Sequence, residues 1–302
     1  MNSVSNLNSS DQIKQPKLDL RERVDQIEDL PSIPDMALQL LELRDDPDAT
    51  VEQLVGIIEL DPAMSAQVIR YANSPLYGQN GIVDTLQDAI FRVLGFETVL
   101  YIALGGALSK AFQLPIDGPF GLKAFWSNAV FSAALAQRVA NLHGRELNVK
   151  PGTAYLCGLL HNIGYLVLAT LFESEYFWLN KVTTAKPEFP VTAMEYQLLG
   201  TSHTELAQLL MKSWGLPAEI ITVAKEHHNI EYDGEFAQTV HLIQVCDQLL
   251  RSHNLSDADS GEISLELCNK LKLDDSELYL AMDDVLESSD VLESMIKIFS
   301  NG

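Results

Sequence analysis

Four histidines and one aspartate in the second half of the chain have side chains suited to binding a metal ion or moving a proton. They are His161, His203, His227, His228 and Asp247. His161 is followed by Asn162 inside an apolar run over residues 154–172. A His-Asn pair in such a segment needs hydrogen bonds, a metal or a ligand, because burying unpaired polar groups costs free energy. The pattern predicts a pocket of imidazole and carboxylate groups assembled from separate helices.

The elements that would position these residues have helical periodicity, and no convincing alternating strand is present. Thr50 with Gln53, and Ser202 with Glu205, have the spacing of N-terminal capping boxes. The sequence therefore predicts an all-α, multi-helical fold. In the second half the predicted helices cover residues 122–142, 152–172, 192–199, 203–214, 217–228 and 236–252.

The chain divides into four predicted segments. Residues 1–21 form a polar, flexible N-terminal tail. Two helical halves follow, over 22–118 and 119–255, with a Pro- and Gly-rich linker at 115–121 between them. Residues 256–302 form a helical extension with twelve acidic and three basic residues. An acidic surface helix and a partner-binding helix are the two interpretations of this extension.

Composition excludes several classes of function. The formal net charge is -22, and so acidic a surface repels phosphate backbones, so we expect no binding to nucleic acid. Three widely separated cysteines indicate buried free thiols in a reducing compartment. The polar N-terminus is not a secretory signal, and His161 interrupts the apolar run that would otherwise resemble a membrane span. We therefore expect a cytoplasmic protein that does not bind membranes.

An ordered set of short motifs lies along both halves of the chain. The first half contains Leu30-Pro31-Ser32-Ile33-Pro34, Asp61-Pro62-Ala63-Met64 and Tyr71-Ala72-Asn73-Ser74-Pro75. The second contains Phe125-Trp126, Gly158-Leu159-Leu160-His161-Asn162-Ile163-Gly164, Trp214-Gly215-Leu216-Pro217 and His227-His228. Together they resemble the HDOD family, the HD-related output domains of bacterial signalling proteins, over about residues 22–253. The resemblance implies an all-α fold whose second half is related to the HD-domain metal-dependent phosphohydrolases.

The resemblance also implies a set of metal ligands. HD phosphohydrolases bind metals through a His on an early helix, a His-Asp pair and a distal Asp, and some add further histidines for a second metal. On this chain the early His position falls on Asn128, and the pair falls on His161-Asn162. The distal Asp falls on Asp247. The additional histidines correspond to His203, His227 and His228.

Two of these positions, 128 and 162, hold neutral amides in place of the family's ligands. A carboxylate at 162 would bridge two cations and offset their charge, which an amide cannot do, so we expect no binuclear hydrolytic centre. The remaining residues suit one divalent transition metal by donor type. They are equally consistent with a hydrogen-bonded relic that holds no ion, with His203 as a surface residue after its cap and the His pair at a helix end.

These observations predict a bacterial signal-transduction output module with a degenerate HD metal site and no catalytic residues. It would act by contact with a signalling partner protein that the sequence does not identify. The alternative is a divergent metal-dependent phosphohydrolase acting on a nucleotide or phosphoester through a residual one-metal site. A third hypothesis is a sensor that binds a nucleotide without cleaving it. The Glu and the Gly-Tyr-Pro that follow the double His in cyclic di-GMP hydrolases are missing from residues 229–236.

Overall fold

The computed structural model describes residues 30–78, 82–112, 121–187, 189–256 and 262–300. Within these ranges the chain folds entirely into helices and turns, with no strand. The predicted all-α fold is therefore confirmed. The predicted N-terminal tail lies outside the described residues, as does the predicted linker except for Gly121.

The first half consists of short helices joined by tight turns. Thr50 and Gln53 form the predicted capping box, since the Thr50 hydroxyl accepts from the Gln53 amide and the Gln53 side chain accepts from the Thr50 amide. The Asp61 carboxylate likewise accepts from the amides of Ala63 and Met64. The helices are α1 (Asp35–Asp45), α2 (Val51–Ile58), α3 (Pro62–Ala72), α4 (Leu86–Asp88, continued as the π-helix Ala89–Leu94) and α5 (Phe96–Ser109).

The second half is built around one long helix, α6, which covers Leu122–Leu147. In order after α6, this half contains α7 (Pro151–Leu160), α8 (Gly164–Leu171), α9 (Glu173–Ala185), α10 (Val191–Leu199), α11 (His203–Ser213), α12 (Ala218–Glu226) and α13 (Ala237–Arg251). Helices α7 and α13 both pack against α6.

Two sequence-based expectations about helices are wrong. The single helix predicted over 152–172 is two helices, because a turn at residues 161–163 separates α7 from α8. His161 and Asn162 therefore lie at a helix junction and not in the middle of a helix. Helix α9, over residues 173–185, was not predicted. Its mixture of aromatic, β-branched and charged residues hides the helical period.

One stretch of the described chain, Pro151–Leu171, is apolar and long enough to cross a membrane by length and composition. Its most apolar window is 89% buried inside the protein, and the turn after Leu160 divides it. It contributes α7 and α8 to the core.

The C-terminal extension is helical and is part of the same core. It forms α14 (Leu265–Leu271), α15 (Asp275–Glu287) and α16 (Ser289–Ser300). The Phe299 ring of α16 packs edge-on against Trp126 of α6, with ring centroids 5.3 Å apart. Arg138 of α6 forms an ion pair with Asp284 of α15 at 2.6 Å. The apolar side of the extension therefore faces the protein interior, and its acidic side faces solvent.

Candidate metal centre

Five separate parts of the second half bring polar side chains to one buried point. Helix α6 contributes Asn128 and Ser132, and α13 contributes Asp247. The turn between α7 and α8 contributes His161 and Asn162, and α11 begins with His203. His227 and His228 follow the last residue of α12. Every residue that the sequence singled out is within this group, and all except the half-buried His228 are buried.

The histidine rings are in mutual contact. The Nε2 atoms of His203 and His227 are 3.3 Å apart. The ring centroids of His161 and His227 are 4.9 Å apart, and those of His227 and His228 are 4.3 Å apart. His203 is fully buried and its ring stacks on Tyr165, so the alternative of a surface residue is wrong.

Two glycines permit the close helix packing that assembles this centre. A Cβ atom on Gly158 would lie 2.6 Å from the Ser132 carbonyl oxygen, so α7 can approach α6 only without a side chain there. A Cβ atom on Gly164 would overlap the carbonyl oxygen of His203. The start of α8 therefore touches the start of α11, and this contact positions His203.

The hydrogen bonds of the imidazole Nδ1 atoms determine what their Nε2 atoms offer. Nδ1 of His161 lies 2.8 Å from the Gly158 carbonyl oxygen, and Nδ1 of His227 lies 2.9 Å from the Ala224 carbonyl oxygen. A carbonyl oxygen only accepts, so both Nδ1 atoms carry the proton. Nδ1 of His203 is 2.8 Å from the carboxylate of Glu195 and donates to it in the same way. In their neutral forms all three rings therefore present a lone pair at Nε2.

The two asparagines are oriented by a chain of hydrogen bonds that starts at the backbone. Nδ2 of Asn128 donates to the Leu255 carbonyl oxygen at 2.8 Å, which leaves Oδ1 of Asn128 to accept from Nδ2 of Asn162 at 3.1 Å. Oδ1 of Asn162 is then directed at Nε2 of His227, at 3.1 Å. Because an amide oxygen also only accepts, this series of hydrogen bonds directs a lone pair of the Asn162 oxygen at the histidine cluster.

Three acceptor atoms thus face one another: Nε2 of His203, Nε2 of His227 and Oδ1 of Asn162. Such an arrangement is stable with a cation among the lone pairs, either a metal ion or an additional proton on an imidazole. Beside it, Nε2 of His161 lies 3.3 Å from the Asp247 carboxylate, and among the described residues it has no hydrogen-bond partner. A buried polar atom without a protein partner is uncommon, and a water molecule or an ion is a usual explanation.

Glu195 is the residue of this centre that sequence reasoning missed. It lies on α10, is fully buried, and both its oxygens contact Nδ1 of His203 while one also accepts from the His203 backbone amide. A carboxylate on the outer nitrogen of a histidine is the usual way to orient a metal ligand. The sequence contains 42 acidic residues, and nothing in their spacing distinguishes this one. Ser132, whose hydroxyl donates to Asp247 at 3.1 Å, was also missed, because nothing in its sequence position distinguishes it from other serines.

The donor atoms present fit a borderline transition metal. The ligand atoms of His203, His227 and His228 all lie within 4.8 Å of one another. Imidazole nitrogens suit zinc, iron, nickel and copper. The 3.3 Å between Nε2 of His203 and Nε2 of His227 matches the roughly 3.3 Å expected for two ligands about 2.0 Å from one tetrahedral ion.

The cysteines of the second half are not candidates for this site. Burial raises the pKa of the Cys157 and Cys246 thiols, so neither supplies a thiolate ligand or nucleophile near neutral pH.

Comparison with known proteins decides the family. The sequence profile of the HDOD domain matches residues 30–230, two thirds of the chain. The chain belongs to the HDOD family. The profile ends before Asp247 and before the C-terminal extension, so two features of this HDOD protein lie outside the matched region.

Three relatives illustrate the extent of the likeness. A crystal structure from Marinobacter aquaeolei VT8, provisionally assigned to signal transduction, is 30% identical, has a TM-score of 0.76 and aligns with 95% of this chain and 63% of its own. A Shewanella amazonensis SB2B structure, provisionally assigned as a phosphohydrolase, is 23% identical, has a TM-score of 0.69 and aligns with 93% of this chain and 97% of its own. An uncharacterised Treponema pallidum protein is 25% identical over 70% of this chain and 40% of its own length. The HDOD chain therefore spans less than two thirds of the length of the Marinobacter and Treponema proteins. The Shewanella structure is only 23% identical, so its likeness shows a shared fold and no more.

Proposed function

We propose that this HDOD protein is a bacterial signalling module in which the histidine cluster holds one divalent transition metal as a structural centre, without hydrolysing a substrate. The residues that would hold the ion are His203, His227 and His228, with His161 and Asp247 beside them. The bound ion would supply positive charge where lone pairs now converge. The module would act in the cytoplasm through contact with a partner protein.

The observation that carries this proposal is the position of Asn162 and the hydrogen bonds of its side-chain amide. It occupies the position where HD phosphohydrolases have the carboxylate that bridges two metals, and both ends of its amide are engaged, by Asn128 and by His227. An amide cannot offset the charge of a second cation. The cluster is also buried apart from His228, which restricts the access of a phosphoester to it.

Two further observations support a signalling role in the cytoplasm. The Marinobacter relative is provisionally assigned to signal transduction, and its likeness extends over 95% of this chain. The three cysteines are buried and free, as is common in the reducing cytoplasm.

Elemental analysis of protein purified without added metal or chelator tests the metal site. We expect about one transition-metal ion per chain, because the converging lone pairs need a cation. The His227→Ala, His228→Ala double variant should contain almost none, whereas His253→Ala, at an exposed histidine outside the cluster, should retain it. Metal-free parent protein that is folded by circular dichroism would contradict the structural metal centre.

The same preparations test the absence of hydrolysis. With manganese or magnesium added, we expect no turnover of a nucleotide panel or of bis-p-nitrophenyl phosphate above the metal-only blank. Turnover on the order of 1 per second or more, abolished by His161→Ala, would replace the proposal with the one-metal phosphohydrolase.

Glu195→Gln should weaken metal binding about 10- to 100-fold, which is the usual effect of removing an outer carboxylate from a ligating histidine. The glutamine oxygen can still accept from Nδ1 of His203, so the change removes charge more than geometry. Competition with a chelating indicator dye measures the dissociation constant. Glu205→Gln is the matched control, because the Glu205 carboxylate accepts from the Thr201 and Tyr196 hydroxyls and not from an imidazole. Equal affinity in both variants would exclude Glu195 as a positioning residue.

A further inference from the structure

An apolar groove of about 350 Å³ runs between α9 and α10, on the outside of the molecule. Its lining includes Val182 and Ala185 of α9 and Met194 and Leu198 of α10. Helix α9 packs mainly on α8 and α10, so this helix pair forms the edge of the fold. The groove is distinct from the metal centre, since no residue of that centre lines it.

Aromatic and basic side chains lie in contact on the segment that contributes to this groove. Phe177 and Phe189 are 52% and 53% exposed. Nζ of Lys181 lies 4.4 Å from the centre of the Phe177 ring, and Nζ of Lys186 lies 5.4 Å from the centre of the Phe189 ring. Both lysines also line the groove. Aromatic side chains are enriched in protein interfaces relative to the rest of the surface, whereas lysines are found more often at the polar rim.

Some basic residues of the described surface, such as Lys110, Lys150 and Arg138, form ion pairs with carboxylates, and others do not. Within the described part of the chain, Lys181 and Lys186 contact aromatic rings and form no ion pair. Two cationic side chains therefore border an apolar groove on a protein whose net charge is -22.

We infer that the α9–α10 groove is a docking site for an amphipathic helix of a partner protein that carries acidic residues beside its apolar face. The apolar lining would bury one side of such a helix, and Lys181 and Lys186 would pair with its flanking carboxylates. This inference rests on the proposed function only in that the module acts through a protein partner. Nucleic acid and anionic membranes fit less well, because each presents negative charge over an extended surface that reaches beyond the two lysines to the acidic remainder of the protein.

The position of the groove links it to the metal centre. Met194 lines the groove, and the next residue, Glu195, holds Nδ1 of His203. A partner in the groove therefore touches the helix that orients a ligand of the centre. Any effect of the metal on partner affinity would be matched by an equal effect of the partner on metal affinity.

A random 16-residue peptide display library, panned against the whole protein, tests the docking site. We expect the recovered peptides to place Asp or Glu beside Leu, Phe or Trp at helical spacing. Their affinity, measured by fluorescence anisotropy, should fall at least tenfold in a Lys181→Glu, Lys186→Glu variant. It should change little in the Lys123→Glu, Lys212→Glu control, which alters the net charge equally at two other exposed lysines.

Several outcomes would overturn this inference. They are the recovery of no peptide, the recovery of basic peptides, and peptide affinity that is equal in the two variants. Binding to vesicles of anionic lipid that the first variant loses would assign the groove to a membrane. Dimerisation that the first variant loses, seen by sedimentation, would assign it to a second copy of the chain. None of these results depends on metal content or hydrolysis, so the proposed function and the docking site can fail separately.

Discussion

A chain that ends at Ser288, and so lacks α16, is expected to lose its cooperative thermal transition. Leu292, Met295, Ile296 and Phe299 of this helix are buried in the core. Burying one large apolar side chain stabilises a protein by about 1.5–3 kcal/mol, so the four contribute roughly 6–12 kcal/mol as an upper estimate. That is comparable to the whole stability of a typical domain, about 5–15 kcal/mol. Near-ultraviolet circular dichroism during heating measures the loss.

Two single variants calibrate this truncation. Phe299→Ala removes the contact with Trp126 and should destabilise the full chain by about 3–5 kcal/mol. Leu280→Ala alters a side chain of the same extension that is 64% exposed and should have little effect. A truncated chain that melts at the temperature of the parent would mean that residues 30–288 fold without α16.

Gly164→Ala is expected to destabilise the protein by about 3 kcal/mol, at the upper end of the usual cost of overpacking. The new Cβ atom would overlap the His203 carbonyl oxygen and lie 3.0 Å from the backbone nitrogen of Ala207. Backbone atoms cannot rotate away as a flexible side chain can, so α8 and α11 must move apart. That movement displaces His203, and we expect metal content to fall together with stability. Urea denaturation and elemental analysis measure the two effects.

Gly56→Ala is the control for this substitution. Gly56 lies within α2, and a Cβ atom there would have no atom within 4 Å. Alanine is a better helix former than glycine by about 1 kcal/mol, so this variant should be as stable as the parent or more stable. If Gly164→Ala were as harmless as Gly56→Ala, the contact between α8 and α11 would not be what positions His203.

The sequence determined the features of this protein that depend on neighbouring residues. The capping box of Thr50 and Gln53 is a contact across three residues, and both partners are visible in the sequence. The helical periods depend on spacing along one helix, and they predicted the all-α fold. The identity of the five predicted site residues came from residue types rarely found together in apolar segments, combined with the family resemblance. The structure places those five residues in one cluster, and whether the cluster holds metal stays a proposal.

Tertiary structure alone decided where the helices end at the site and which residues support it. The turn at 161–163 divides a continuous apolar run, and the start of α8 contacts α11, more than thirty residues away in sequence. Glu195 is one of many acidic residues, and it differs from the others by being buried against His203. The acidic extension becomes part of the core through the contact of Phe299 with Trp126. These features depend on backbone approach and burial between distant segments, which leave no periodic signal along the chain.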